Sequence, residues 1–375
     1  MFNEIQQVIV LAAGRSRRME SLSDSLPKCL LPYQGERILE RLIRQVKSQG
    51  VKKIVITTGY RADVMKKLFG NDPCIELVEN KLYEEDVNIY SMHLALSKID
   101  GPCAVFEADT VMEDALVKYV LGSDFDGKSI WFTRGKFNEA QYGGILKADK
   151  CGNVTDVRIV PAYKDAYKSY EKLTGLMRIG PNEIARFKSL IGKYAKATLK
   201  QYYLNAWIEN VNLLPSQAAN VEMFEFFSFN KPEEYYQVQN TQIGLVSETP
   251  AVELISTEGL QHIEDFDPQR VAELKEKIEK EALWTVPIIV EKRNKMVLDG
   301  QHRMEVAKAM GLKQIPAIVV DYNDVKVWTL RREYPVSQRK VYAKVNSGNY
   351  YPYKTVKHKF SFTIPEICIE LDKLK

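Results

Sequence analysis

Two short segments carry residue types at spacings that could do chemistry. The first is Leu11-Ala12-Ala13-Gly14-Arg15-Ser16-Arg17-Arg18-Met19, directly after the apolar run Val8-Ile9-Val10-Leu11. A small-residue turn at a strand end lets backbone N–H groups approach phosphate oxygens closely. Leu11, Ala13 and Gly14 would present that backbone. Arg18 would neutralise the outer phosphates of a triphosphate, with Arg15 and Arg17 in reserve. Pro27-Lys28 then brings a second cation to the same loop. A basic surface turn would explain the arginines alone, but not their combination with Pro-Lys at this spacing.

The second segment is Asp299-Gly300-Gln301-His302-Arg303, between a strand ending at Val297-Leu298 and an amphipathic helix. It aims a helix N-terminus at an anion, flanked by His302 and Arg303. An Asp N-cap with exposed neighbours would look the same. Two distant stretches favour a site. Gln261-His262-Ile263-Glu264-Asp265 precedes a helix, and the run from Ser347 to His358 mixes polar, aromatic and basic residues unlike a core strand.

The elements that must position these residues can be read from periodicity. The runs Val8–Leu11, Val51–Thr57 and Cys103–Phe106 suit strands buried on both faces. Ile38, Leu39, Leu42, Ile43 and Val46 mark a helix stopped by Gly50, and Val64, Met65 and Leu68 another before Gly70. This β-α-β-α-β order predicts a mostly parallel sheet with helices on both faces, whose ligands sit at the strands' carboxyl ends. From Ile130 to Phe229 two more strands are expected, Ile130–Phe132 and Glu225–Phe227, with Tyr- and Lys-rich helical stretches between them. Apolar periodicity fades between Lys231 and Ser247, where Pro232, Asn240 and Gly244 punctuate the chain. The domains are therefore placed at 1–238 and 239–375. The second contains helices around Val271–Ile278 and Met304–Met310, and strands Pro287–Val290 and Pro316–Val320.

Length and composition bound the function. A chain of 375 residues is two domains by the usual sizes. A net charge of +4 gives no electrostatic footprint for nucleic acid or an anionic membrane. The five cysteines, Cys29, Cys74, Cys103, Cys151 and Cys368, are scattered and form no C-x-x-C pair, which argues against a disulfide framework or a zinc site. No signal-peptide pattern and no membrane-length apolar run is read, so the expected location is the cytoplasm.

The N-terminal pattern, with its Gly-x-Ser-like Arg loop and Pro27-Lys28, resembles the sugar-nucleotide and phosphocholine-type nucleotidyltransferases over residues 5–235. Thr58-Gly59-Tyr60 resembles that family's strand-end turn. Glu79-Asn80 and Asn88-Ile89-Tyr90-Ser91 resemble the segment near the pyrimidine base. The resemblance implies a Rossmann-like α/β domain, CTP as substrate and Mg²⁺ on Asp109, in Phe106-Glu107-Ala108-Asp109. It implies Lys28 and Arg18 as the catalytic cations and Glu79, Asn88 and Ser91 as nucleotide contacts. The family's second metal-binding Asp is replaced by Asn230, in Asn230-Lys231-Pro232-Glu233-Glu234, and Glu209 is an alternative.

Residues 250–375 resemble the free-serine kinases of the ParB/sulfiredoxin-like fold, a smaller α/β domain. That family's Asp-Gly-His-His-Arg stands here as Asp299-Gly300-Gln301-His302-Arg303, and its terminal Pro-Lys-Thr-Thr-Arg-His as Pro352-Tyr353-Lys354-Thr355-Val356-Lys357-His358. The resemblance implies Glu264 as general base. It implies His302, Arg303, Lys354 and Thr355 as phosphate ligands, and Lys357 and His358 near the phosphates or the amino-acid carboxylate. Trp284 would wall the pocket, and Asp299 would meet Mg²⁺.

Together the halves imply a bifunctional transferase: serine and ATP (or ADP) to phosphoserine, then phosphoserine and CTP to CDP-serine, a head group for a surface glycan. Small molecules are its expected partners, with neither nucleic acid nor membrane, and a homodimer is left open. Two alternatives stand. The acceptor could be phosphocholine, phosphoethanolamine or a sugar phosphate, with the kinase serving another alcohol. Otherwise the second domain could be a nucleotide-gated DNA-binding or regulatory module, as other ParB-type domains are.

Overall fold

Val8, Ile9 and Val10 are wholly buried in a strand with a parallel neighbour on each side, as in a parallel sheet covered on both faces. The computed structural model describes all residues except 1–4, Ser25, Ser123, Asp124, Asp126, Gln242, 244–248, Leu330 and Arg332, and the side chains of Glu20 and Ser21. The chain divides into two units, Met1–Gly244 and Leu245–Lys375, each described by itself. Gly244 and Ser247, which helped to place the expected boundary, lie outside the described residues.

Unit 1 begins with β1 (Gln7–Leu11), the hairpin β2 (Pro32–Tyr33) and β3 (Glu36–Arg37), α1 (Ile38–Ser48), β4 (Lys53–Thr58), α2 (Ala62–Phe69) and β5 (Ile75–Glu79). It continues with α3 (Ile89–Leu96), β6 (Cys103–Glu107), β7 (Thr110–Met112), α4 (Asp114–Leu121), β8 (Ile130–Lys136), β9 (Gly143–Ala148), β10 (Val154–Val160) and β11 (Glu171–Ile179). It ends with α5 (Ile184–Ala197), α6 (Tyr203–Ile208), β12 (Gln217–Asn220), β13 (Phe226–Ser228) and α7 (Pro232–Gln239).

The main sheet runs β10-β9-β11-β6-β1-β4-β5, with β8 on β11 and β12 on β8. The half β6-β1-β4-β5 is parallel, as the βαβ pattern predicts. In the other half, β8 to β11 pair antiparallel. Residues 143–179, expected to be helical, therefore supply strands. Helices α5 and α6 cover them, and Trp131 meets Trp207 edge-to-face at 5.3 Å in that core. Such a pair adds about 1 kcal/mol beyond its buried area.

The stretch after Lys231, where fading periodicity placed the domain boundary, begins with a helix. Pro232 starts α7, whose Tyr235 and Val238 pack with Met19, Leu31, Ile38 and Phe229. Pro is tolerated at a helix start because the missing N–H would be unpaired there anyway.

Unit 2 comprises β14 (Glu253–Ser256), α8 (Pro268–Glu281), β15 (Leu283–Trp284), β16 (Ile288–Glu291), β17 (Val297–Asp299) and α9 (Gln301–Ala309). β18 (Gln314–Val320), β19 (Lys326–Thr329), α10 (Gln338–Asn346), β20 (Val356–Lys359) and β21 (Ile369–Glu370) complete it. Its sheet runs β14-β18-β16-β17, with β16 and β18 parallel and the outer pairs antiparallel. Between β17 and α9, Gly300 adopts φ +100. A Cβ there would lie 2.6 Å from Ile288 Cγ2, so only glycine fits this turn.

Candidate active sites

A cleft of about 320 Å³ opens at the carboxyl ends of β1 and β6. Leu11, Ala13, Gly14, Arg18, Lys28, Asn88, Ser91, Asp109 and Asn230 all line it. Gly59 lets the end of β4 press on the loop: a Cβ on it would sit 2.6 Å from the Ala13 carbonyl oxygen, and Tyr60 N donates to that same oxygen at 3.0 Å. A Cβ on Gly14 would meet no protein atom within 4 Å, so the space beside it is open.

The charged groups converge. Lys28, 4% exposed, donates from Nζ to Asp109 Oδ2 at 2.7 Å and lies 4.7 Å over the Phe229 ring. Asn230 Oδ1 accepts from Arg18 Nη2 at 2.9 Å and from Lys28 Nζ at 3.5 Å. Asp109 Oδ1 is buried and has no hydrogen-bond partner. Such an orphaned oxygen is costly unless a cation meets it, and a hard divalent ion suits it. The residues present therefore fit Mg²⁺ held by one carboxylate and by substrate phosphates.

On the α3 side, Asp86 gathers the groups that sequence reasoning quoted separately. It accepts from Asn80 Nδ2, Ser91 N and Ser91 Oγ at 2.8–2.9 Å, and from Tyr90 N at 2.9 Å. A carboxylate at a helix start satisfies unpaired N–H groups and suits the dipole. Asn88 Oδ1 accepts from Tyr203 N at 2.8 Å, tying this wall to α6. Asp86 carried no sequence signal beyond its place in Glu84-Glu85-Asp86.

Three expected residues of unit 1 stand elsewhere. Glu79 is exposed at the end of β5 and outside the cleft lining, where buried Asn80 takes the inward position instead. The alternation along β5 sends the two residues to opposite faces. Arg15 is also outside the lining, with Glu84 at 3.8 Å and the Tyr60 ring at 5.6 Å. Glu209 ends α6, exposed, and accepts from the Tyr194 hydroxyl. It does not line the cleft, so Asn230 rather than Glu209 accompanies Asp109.

A residue that sequence reasoning passed over lines the cleft with Asp109. Burial, and then the charge of Asp109, push the Glu107 carboxyl up to about 7. Its position two residues before Asp109 on a strand end was the available signal.

In unit 2 the three singled-out stretches meet. Glu264 Oε2 accepts from Thr355 N and Val356 N, both at 2.9 Å, and Glu264 forms a bridge with Tyr351. His302 Nε2 accepts from Asp267 N at 3.1 Å, and its ring meets Tyr353 edge-on at 5.6 Å. Tyr353 also receives a hydrogen bond from Arg270 Nη1 at 3.0 Å. Asp299 pairs with Arg303 Nη2 at 3.1 Å, while Arg303 Nε is buried without a partner. The helix cap is Gly300, not Asp299, whose carboxylate is spent on Arg303. Gln301, where the kinase pattern has His, accepts at Oε1 from His262 Nδ1 at 2.8 Å, and Glu305 takes the other ring nitrogen at 2.8 Å.

The roles expected of four residues here change. His302 accepts a backbone N–H, and burial, followed by the nearby Arg270 charge, holds its pKa below the ordinary value. It is therefore a neutral ring whose Nδ1–H can donate, not a cationic phosphate ligand. The His358 ring has both nitrogens engaged, one with the Leu298 carbonyl at 2.9 Å and the other with the Tyr322 hydroxyl at 2.8 Å. Burial lowers its pKa to about 4, so it braces β20 against β17. Thr355 is fully buried, its hydroxyl donating to the Pro352 carbonyl at 2.6 Å and its N–H to Glu264. It builds the turn in which Lys354 adopts φ +57. Trp284 is a core residue, 1% exposed, with Nε1 donating to the Val286 carbonyl at 2.8 Å. Lys357 sits on β20 opposite Trp328.

The sheet of unit 1, with its strand-end loop and cation cluster, is a nucleotidyltransferase fold. Residues 8–150 match the model of the MobA-like NTP transferase domain, and residues 235–331 that of the ParB N-terminal domain. The chain is similar to the 2-aminoethylphosphonate cytidylyltransferase of Lancefieldella rimae, 30% identical over 165 residues, which are 44% of this chain and 64% of that one. It is also similar to the ATP-dependent L-serine kinase of Staphylothermus marinus, 38% identical over 86 residues, 22% of this chain and 34% of that one. The matched segments thus span less than two thirds of each relative. The solved CTP:phosphocholine cytidylyltransferase of Streptococcus pneumoniae has the same fold, with a TM-score of 0.51 and 20% identity, covering 63% of this chain and 98% of that one. Among the described residues no helix is long and apolar enough to cross a membrane.

Proposed function

We propose that the chain carries two transferase sites, a kinase for serine in unit 2 and a CTP:phosphoserine cytidylyltransferase in unit 1. The observation that carries the reading is the convergence of Lys28, Arg18, Asp109 and Asn230 on one cleft at the ends of β1 and β6. The likeness of the two halves to a cytidylyltransferase and to a serine kinase supports it.

In unit 1 a phosphate oxygen of the acceptor attacks the α-phosphorus of CTP. The Pα–O–Pβ bond breaks and pyrophosphate leaves. Backbone N–H groups of the Ala13-Gly14 turn hold the outer phosphates, and Lys28 and Arg18 offset the charge that grows on the transferred and leaving groups. Mg²⁺ on Asp109, when bound, supplies Lewis-acid polarisation of the phosphates.

In unit 2 the serine hydroxyl attacks the terminal phosphorus of ATP or ADP, and the shortened nucleotide leaves. Glu264 accepts the hydroxyl proton. Two backbone N–H groups fix its Oε2 and thereby its aim. Arg303 and the start of α9 offset phosphate charge.

The test is a reconstitution. Purified protein with serine, CTP, Mg²⁺ and either ATP or ADP should yield CDP-serine and pyrophosphate. Phosphoserine with CTP alone should do the same. If serine is never phosphorylated, the kinase half is wrong; if no pyrophosphate appears from phosphoserine, the cytidylyl acceptor is. The name of the Lancefieldella relative puts 2-aminoethylphosphonate beside phosphoethanolamine and phosphocholine in the acceptor panel. The ParB N-terminal match gives the regulatory reading its own check: salt-sensitive binding to duplex DNA would support that reading against a kinase.

A further inference from the structure

Glu107 has no assigned role, yet it occupies the same cleft as the reacting groups. It ends β6, lines the cleft beside Asp109, and accepts no hydrogen bond within the described residues. The fold makes room for it. Gly175 of β11 has φ +84, and a Cβ there would lie 2.6 Å from the Glu107 carboxyl carbon. The neighbouring strand thus gives up a side chain where the carboxylate enters. Lys172, also on β11, is near enough for its charge and that of Glu107 to act on each other. Its Nζ, however, donates to the carbonyls of Gly144 and Leu173, at 3.2 and 3.1 Å. Buried Tyr203 also feels the Glu107 charge.

A carboxylate left unpaired in a half-enclosed cleft is expensive unless it takes up a proton or something cationic meets it, and a bound cation favours the charged form. The phosphate-handling cations are already engaged: Lys28 with Asp109 and Asn230, and Arg18 with Asn230. The missing cation is best supplied by the acceptor. Its phosphorus end must lie near Lys28 and Asp109, so a cation a few bonds away would arrive at Glu107.

We propose that Glu107 is the acceptor-specificity residue of unit 1, binding the ammonium group of an amine-bearing phosphomonoester or phosphonate and discriminating against amine-free phosphates such as those of sugars and polyols. The inference rests on the reading of unit 1 as a cytidylyltransferase, and it narrows the acceptor to amines without choosing among them.

The experiment measures CTP- and Mg²⁺-dependent pyrophosphate release by the full chain with phosphoserine, phosphoethanolamine, 2-aminoethylphosphonate, 3-phosphonooxypropionate (phosphoserine without its amine) and glucose 1-phosphate. Wild type should prefer the amines. Glu107→Gln should lower kcat/KM for amine acceptors about 10- to 100-fold, the range of a lost charged hydrogen bond. It should leave 3-phosphonooxypropionate unchanged or improved, with the half-saturating Mg²⁺ concentration unaltered. Glu107→Asp, which keeps the charge, should restore part of the preference and serves if the Gln variant fails to fold. A preference for phosphoserine over 3-phosphonooxypropionate that survives both variants overturns the inference. So does a Glu107→Gln effect confined to the Mg²⁺ dependence, which would make Glu107 a metal ligand. Wild type releasing no pyrophosphate with any acceptor would instead remove the cytidylyltransferase reading itself.

Discussion

Lys28 Nζ donates to one oxygen of Asp109 at 2.7 Å, while the other oxygen of the same carboxylate is buried and unpaired. One oxygen thus faces a cation the protein supplies, and the other is left for a cation that must come from outside. Lys28→Ala removes the first and should lower cytidylyl transfer from phosphoserine by about 100- to 1,000-fold, as loss of a preorganised charge does. Serine phosphorylation should persist. Pyrophosphate release and phosphoserine formation, followed in the same sample, check both halves. Asp109→Asn should give the same pattern, with the Mg²⁺ requirement shifted to higher concentration.

Glu264→Gln tests the other site. The amide oxygen can still accept from Thr355 N and Val356 N, so the turn should survive. The group can no longer take a proton, and phosphorylation should fall by about 100-fold or more. Transfer from added phosphoserine and CTP should be untouched. A folded Gln variant that phosphorylates serine at the wild-type rate would remove Glu264 from the chemistry.

Gly300→Ala addresses the turn that starts α9. The methyl would meet Ile288 Cγ2 at 2.6 Å and the backbone would be held at φ +100. Both terms act together, so a loss of at least about 2 kcal/mol is expected. Hydrogen-exchange protection of β16 and α9 should drop, while that of β1 and β4 should not.

The His358 ring gives unit 2 a pH response. Its folded pKa is lowered from the ordinary 6.5 to about 4, chiefly by burial, with Asp299 and Lys357 the charges nearby. The unfolded chain binds the extra proton first as pH falls. The stabilisation is therefore complete above pH 6.5 and is lost as pH drops through the window down to about 4. The full window is worth on the order of 3 kcal/mol. His302, also lowered, acts with the same sign. The protection factors of the β20 amides, which discount the slower intrinsic exchange at lower pH, should fall between pH 7 and 5, and His358→Gln should flatten that slope.

What the residues disclosed in advance was local. The run Val8–Leu11 with its glycine turn, the helix stripe at Ile38–Val46, and the Asp299–Arg303 strand–helix junction depend on neighbours in sequence, and each stands where periodicity puts it. The antiparallel half did not show, because β9 to β11 mix glycine and charge and bury their residues against α5 and α6, elements far along the chain. The same distance hid the fate of single side chains. Glu107 enters the cleft only because Gly175 stands aside, and Thr355 and His358 spend their polar atoms on Glu264, Pro352, Leu298 and Tyr322. A resemblance can suggest which positions matter; which atoms remain free to bind depends on packing.

The stretch from Phe229 to Ile243 works as a clasp on the first cleft. A protein cut after residue 150, where the transferase match ends, would keep the glycine turn, Lys28 and Asp109. It would lose the amide oxygen that Arg18 and Lys28 share, the ring beneath the Lys28 ammonium, and the Tyr235 and Val238 side chains packed on Met19 and Leu31. Transplanting or shortening this module therefore has to carry the whole of unit 1, because Lys28, near its start, is held in place by some of its last residues.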